Sequence, residues 1–318
     1  MKTLIFIILF IISIFQCYSQ IETNKSNKIS ISMQSKSSSV SSPKNEPVIS
    51  KSDIDENIPV VSYYYPFRFA LIIGNEDYYS YQAGLTNEIN VSFAQNDALT
   101  FKEYAVNVLG VPAENVVLKI NCKVVEMNRE IEKMRIISKN AGGKAEFIFY
   151  YAGHGFPDEI THEAYLMPVD VSTTDLKYAI KLEDIYAKLT EFPCERVTVF
   201  IDACFSGGGR NQGLIAARGV KIKPKENYLT GKLVVFTASS GDQSSLPYTE
   251  KGHGLFTYFL LKKIQETKGD ISYKDLSDYL SQTIGIKSVL INNKEQNPQT
   301  NISPTIINEW KSWEINKK

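Results

Sequence analysis

Two short apolar runs constrain the fold of this chain more than any other feature, because each ends where a reactive side chain begins. Val197 to Ile201 (VTVFI) is almost continuously apolar and β-branched, the pattern of a strand buried on both faces of a parallel sheet. It runs into Asp202-Ala203-Cys204-Phe205-Ser206-Gly207. These small and polar residues take the chain off the carboxyl edge of the sheet, where open α/β sheets present their active groups. Glu146 to Tyr151 (EFIFYY) has the same form and leads into Ala152-Gly153-His154-Gly155, whose glycines permit a tight turn and close backbone approach. An imidazole and a thiol are therefore expected to meet above neighbouring strands.

The remaining elements fit an α/β chain. Phe69 to Gly74 reads as a buried strand, and Ala94, Ala98, Phe101, Ala105 and Val108 step by four and three along a helix. A strand over Asn115 to Ile120 precedes a helix with Met127, Ile131 and Met134 on one face. Beyond Ala164 to Asp170 come a helix near Leu182 to Leu189, a strand at Leu233 to Thr237, and helices at Leu255 to Ile264 and after Ser272, which Asp275 marks as an N-cap. Strand and helix alternate, so right-handed crossovers and a parallel sheet covered on both faces are expected.

YYAGHG, followed 50 positions later by DACFSGG, resembles the His and Cys motifs of the caspase-like cysteine peptidases, most closely their metacaspase and bacterial branch. The likeness spans Arg68 to Ser303. It implies a three-layer α/β/α sandwich around a mainly parallel sheet of about six strands. It also implies peptide hydrolysis by a thiolate, Cys204, with His154 protonating the leaving amine. The backbone N–H groups of Gly155 and Cys204 would receive the oxyanion. Two other imidazoles compete weakly: His253 lies between glycines but opens a helix, and His162 follows no strand. Taken alone, Cys204 would read as a small hydrophobe at a strand end.

Asp202 stands where caspases carry Gln, so the resemblance points to cleavage after Arg or Lys, with charge-assisted hydrogen bonds to the substrate. Asn96-Asp97-Ala98 looks like the motif whose Asp helps line that pocket, and Ser239 and Ser240 resemble its wall. The alternative for either carboxylate is a structural group with internal partners. The basic loop from Gly207 to Lys232 corresponds to the linker at which such enzymes cut themselves; Arg218 and Arg210 are the processing candidates, with Lys221 and Lys223 also exposed.

Composition sets the rest. Basic and acidic residues balance at 35 each, which leaves no electrostatic footprint for nucleic acid. Residues 1–19 read as a secretory signal peptide, since the apolar run Leu4 to Phe15 is too short to span a bilayer. Lipidation at Cys17 is the weaker reading, and no other run reaches spanning length. Residues 20–62 read as a disordered linker or pro-segment: no aromatic residue occurs from Ile21 to Ser62, and 11 of the 38 residues from Ile21 to Ile58 are serine. The peptidase domain is expected over 63–310, with a tail at 311–318. Cys122, Cys194 and Cys204 remain after signal removal, so at least one thiol is free. Close-paired zinc ligands are missing, and the dyad chemistry requires no cofactor. The resemblance admits a calcium requirement, with Asp158, Glu159, Asp170 and Asp175 near the rim but not in an EF-hand ladder. Peptides or proteins are the expected partners. Two other functions stay open: a catalytically silent peptide-binding module, and a dyad-dependent transpeptidase or ligase.

Overall fold

The computed structural model describes residues 51–316 except 85, 206–227 and 242. The signal segment, the linker through residue 50 and the processing candidates Arg210 and Arg218 lie outside the described residues. In chain order the elements are β1 (Arg68–Gly74), α1 (Ala94–Asn107), β2 (Val116–Ile120), α2 (Val124–Asn140) and β3 (Glu146–Ala152). Next come the short strands β4 (Gly155–Pro157), β5 (Ala164–Leu166) and β6 (Ile180–Lys181), then α3 (Leu182–Thr190), β7 (Arg196–Asp202) and β8 (Leu233–Thr237). The chain finishes with β9 (Pro247–Tyr248), β10 (His253–Gly254), α4 (Leu255–Thr267), α5 (Tyr273–Asn292) and β11 (Gln299–Ile302).

Six strands form the main sheet in the order β11-β8-β7-β3-β1-β2. All neighbours are parallel except β11, which runs antiparallel to β8. The caspase-like sandwich expected from the sequence is the observed architecture. Alternate residues of the central strands feed two separate cores. Ile148, Tyr150 and Phe200 pack with Ala98, Phe101, Leu260 and Leu280 of α1, α4 and α5. Phe147, Phe149, Val199 and Ile201 pack with Met127, Ile131, Ile185 and Leu189 of α2 and α3. The rings of Phe101 and Tyr150 stack at 4.2 Å, a contact that fixes α1 against β3. Ser272 caps α5 as expected, its hydroxyl accepting the N–H of Asp275 at 3.0 Å.

Both domain boundaries move outward from the sequence reading. The chain already packs on the domain at residues 52–55, ahead of the expected start at 63. Ile54 is fully buried, its carbonyl accepts the Tyr104 hydroxyl at 2.9 Å, and Asp55 accepts the Thr100 hydroxyl at 2.8 Å. The expected tail from 311 is likewise built in. Arg196 donates to the carbonyls of Glu314 and Ile315, and Asn316 is buried against Val108. Those contacts enclose a buried charge cluster at the amino edge of the sheet, in which Glu146 accepts from Arg68 at 2.8 Å and from Arg196 at 3.2 Å.

Candidate active site

Strand register places the two reactive residues at one level. β3 and β7 are adjacent, parallel and aligned so that Ala152 faces Asp202. His154 and Cys204 each follow two residues beyond that pair. Their loops touch through backbone. The Gly153 N–H reaches the Asp202 carbonyl at 3.3 Å, and a Cβ on Gly155 would lie 2.7 Å from the Cys204 carbonyl oxygen. Only glycine permits that approach, which is the role the sequence assigned to it. Gly153 itself has φ +158°, and a Cβ there would meet the Tyr151 hydroxyl at 2.7 Å.

Nε2 of His154 lies 2.5 Å from the Ile89 carbonyl oxygen. A carbonyl only accepts, so Nε2 carries the proton in this contact and Nδ1 is the other ring nitrogen. The Tyr78 ring packs on the imidazole at 4.5 Å between centroids, and its hydroxyl accepts the His154 N–H at 2.9 Å. Cys204 is 3% exposed, and its Sγ accepts the Ser245 N–H at 2.6 Å. The same Sγ lies 3.6 Å from the Ser245 carbonyl oxygen, to which the thiol donates. Burial pushes the Cys122 thiol up to about 12 and the Cys194 thiol up to about 11, so both are inert at neutral pH.

The direction of the Gly155 N–H follows from the bonds of the residue before it. The His154 carbonyl is tied to the Met167 N–H at 3.0 Å and to the Tyr151 hydroxyl at 2.8 Å. In a planar trans peptide the N–H of Gly155 must point the opposite way, away from β5.

Asp97 and Asp202 meet at a place the sequence did not foresee, the N-terminus of α4. Asp97 is fully buried and accepts the Gly254 N–H at 3.0 Å and Nδ1 of His253 at 2.9 Å. Asp202, also fully buried, accepts the Thr257 N–H at 3.2 Å, the Thr257 hydroxyl at 2.6 Å and the Ser245 hydroxyl. Both carboxylates thus satisfy first-turn N–H groups and sit at the positive end of the helix dipole. For Asp97 this corrects the expectation of a pocket wall, because its charge is answered by an internal imidazole. His253 itself bridges Asp97 and, through Nε2 at 3.2 Å, Asp55. Burial works against its protonation, but the two carboxylates outweigh it and raise its pKa to about 9.

Ser239 and Ser240 are spent on their own turn, donating to the carbonyl and side-chain oxygens of Gln243 at 3.2 and 3.1 Å. His162 is exposed in a turn with φ 58°. Of the acidic residues weighed for calcium, Asp158 accepts the N–H groups of Ile160 and Thr161, and Asp170 accepts that of Val124. Among the described residues no cluster of three or more His, Cys, Asp or Glu side chains could hold a metal ion. Sequence reasoning missed Tyr78, Ile89 and Ser245. Ile89 and Ser245 act through backbone atoms that carry no residue signature, whereas Tyr78 stands four residues past the β1 glycine and was readable only as a loop aromatic.

A sandwich of this topology with a His and a Cys at adjoining strand ends defines a caspase-type fold. The caspase domain family model matches residues 67–306, and the chain belongs to that family. Among solved structures, protein GSU0716 of Geobacter sulfurreducens matches with TM-score 0.53 at 16% identity, over 75% of this chain and 94% of that one. Caspase-1 of Spodoptera frugiperda matches with TM-score 0.52 at 16% identity, over 82% of this chain and 95% of that one. No curated protein is significantly similar to the chain in sequence.

Proposed function

We propose that the protein is a cysteine endopeptidase in which Cys204 attacks the scissile carbonyl and His154 protonates the leaving amine through Nδ1. The carrying observation is the register of β3 and β7, which sets both residues two positions past the facing pair Ala152 and Asp202. The N–H groups of Gly155 and Cys204 receive the developing oxyanion, and water then releases the acyl group from sulfur. Cleavage falls after Arg or Lys; the anionic Asp202 two residues before the nucleophile supports this specificity, and Asp97 contributes only by supporting α4. The chain is secreted through residues 1–19 and cuts itself in the loop 207–232, after Arg218 or Arg210, to mature. Incubating the purified protein with a peptide library and sequencing the cut sites tests activity and specificity together. Mass spectrometry of wild type and Cys204→Ala after incubation tests self-cleavage, which only the wild type should show.

A second reading, a silent peptide-binding module, draws on the burial of Cys204 beneath the Ser245 N–H. A thiol-reactive peptide probe separates the two: labelling of Cys204 that His154→Ala slows belongs to the enzyme, and its absence to the module.

A further inference from the structure

The imidazole is held by more than the Ile89 carbonyl. Two buried tyrosine hydroxyls bracket the backbone of His154: that of Tyr78 accepts the N–H at 2.9 Å, and that of Tyr151 donates to the C=O at 2.8 Å. Each hydroxyl has one proton to give. That of Tyr78 accepts from His154 and donates to the Met167 carbonyl at 3.0 Å, and that of Tyr151 reaches the His154 carbonyl at 2.8 Å, the Met167 carbonyl at 3.0 Å and the Tyr78 hydroxyl at 3.3 Å. Met167 O also receives the Asn75 side-chain amide at 3.1 Å, and Asn75 Oδ1 receives the Cys122 N–H at 2.7 Å, so the bracket is anchored to the ends of β1 and β2. Burial raises the pKa of both phenols, which keeps them protonated as this scheme requires.

Tyr78 adds a second constraint, its ring lying 4.5 Å from the imidazole and tilted 54° to it. The same loop carries Ile89, and Asn90 closes it by accepting the N–H groups of Tyr78 and Tyr79 at 2.9 Å each. The Ile89 carbonyl and the Tyr78 ring that hold the imidazole thus come from one loop.

We propose that Tyr78 and Tyr151 are positioning residues for the dyad: together they lock the Gly153-His154 backbone so that Nδ1 stays directed at the chemistry of Cys204. This rests on the His154–Cys204 reading above. It predicts that removing a hydroxyl alone, with the ring kept, loosens the imidazole without touching substrate.

The test uses the full chain and needs no peptide substrate: iodoacetamide labelling of Cys204, followed by peptide mapping, between about pH 5 and 9, where a paired thiolate and a free thiol differ. Tyr78→Phe should slow labelling at neutral pH about tenfold and move the midpoint of the pH profile towards that of a free thiol. Tyr151→Phe should move it the same way, and it carries the test if Tyr78→Phe does not fold. Labelling is measured below each variant's unfolding temperature, so a purely structural role leaves the midpoint in place. If His154→Ala slows labelling while both phenylalanine variants follow wild type at every pH, the dyad stands and the positioning role is overturned. If His154→Ala labels as wild type, the dyad itself is wrong and the proposal falls with it.

Discussion

Gly254 donates its backbone N–H to both oxygens of Asp97, at 3.0 and 3.1 Å, and so ties the first turn of α4 to the first turn of α1. The carboxylate holds the N-cap residue from 157 positions earlier, while the N–H inside the first turn, that of Thr257, goes to Asp202. Asp97→Asn keeps the shape but loses the charge, and should destabilise the protein by ~1–3 kcal/mol while leaving the preferred cleavage residue unchanged. Thermal unfolding reads the first effect and peptide profiling the second. A variant of wild-type stability with altered specificity would return Asp97 to the pocket.

His253 makes the same region sensitive to pH. Its folded pKa, about 9, lies above the ordinary value of 6.5, so the proton is bound more tightly when folded. The stability this contributes is complete below about pH 6.5 and is lost as pH rises through 9. Its size is roughly 3 kcal/mol from the shift itself. Wild type should therefore lose more melting temperature between these limits than His253→Gln, whose side chain does not titrate there. Parallel melting curves for the two proteins across that range would contradict the assignment.

The main sheet was legible because its central strands are buried on both faces and so must be apolar at nearly every position, as VTVFI and EFIFYY are. β4, β5 and β6 were not, since strands of two or three residues are too short to show a period. Within the site, His154 and Cys204 were readable from motif and strand end. The partners of Asp97 were not: Gly254 contributes an N–H, and His253 was weighed only as a rival catalytic imidazole. Sequence shows that a carboxylate needs a partner but not which of several lies near. The N-terminal boundary failed for the same reason, because Ile54 is one apolar residue among Ser52, Asp53, Asp55 and Glu56, and its burial is decided by α1 and α4.

That short stretch acts as a strap. Asp53 pairs with Lys251 and Lys262 at 2.9 Å each, and Gln265 of α4 donates to the carbonyls of Asp53 and Glu56. Asp55 gives His253 its second carboxylate. Deleting residues 1–50 should leave the melting temperature of the domain unchanged, whereas deleting 1–58 should lower it sharply. Ile54→Ala should cost ~2–5 kcal/mol as a buried large-to-small change. Equal melting temperatures for the two truncations would show that the strap is dispensable.

Asp202 carries the specificity question, because it neighbours both the nucleophile and the helix cap. Its bonds to Thr257 make it structural, and its bond to Ser245, whose N–H faces Cys204 Sγ, links it to the thiol. A substrate Arg or Lys that reaches it would compete with the Ser245 hydroxyl for one oxygen and add a charge-assisted hydrogen bond worth ~1.5–3 kcal/mol. Asp202→Asn should therefore lower kcat/KM on Arg and Lys peptides about tenfold to a hundredfold. The discriminating comparison is a neutral peptide of the same length. If Asp202 binds the substrate cation, the loss is confined to basic peptides; if it only caps α4 and steadies Ser245, basic and neutral peptides fall by the same factor and iodoacetamide labelling of Cys204 falls with them. An equal fall in all three would leave the proposed preference for basic residues without its carboxylate.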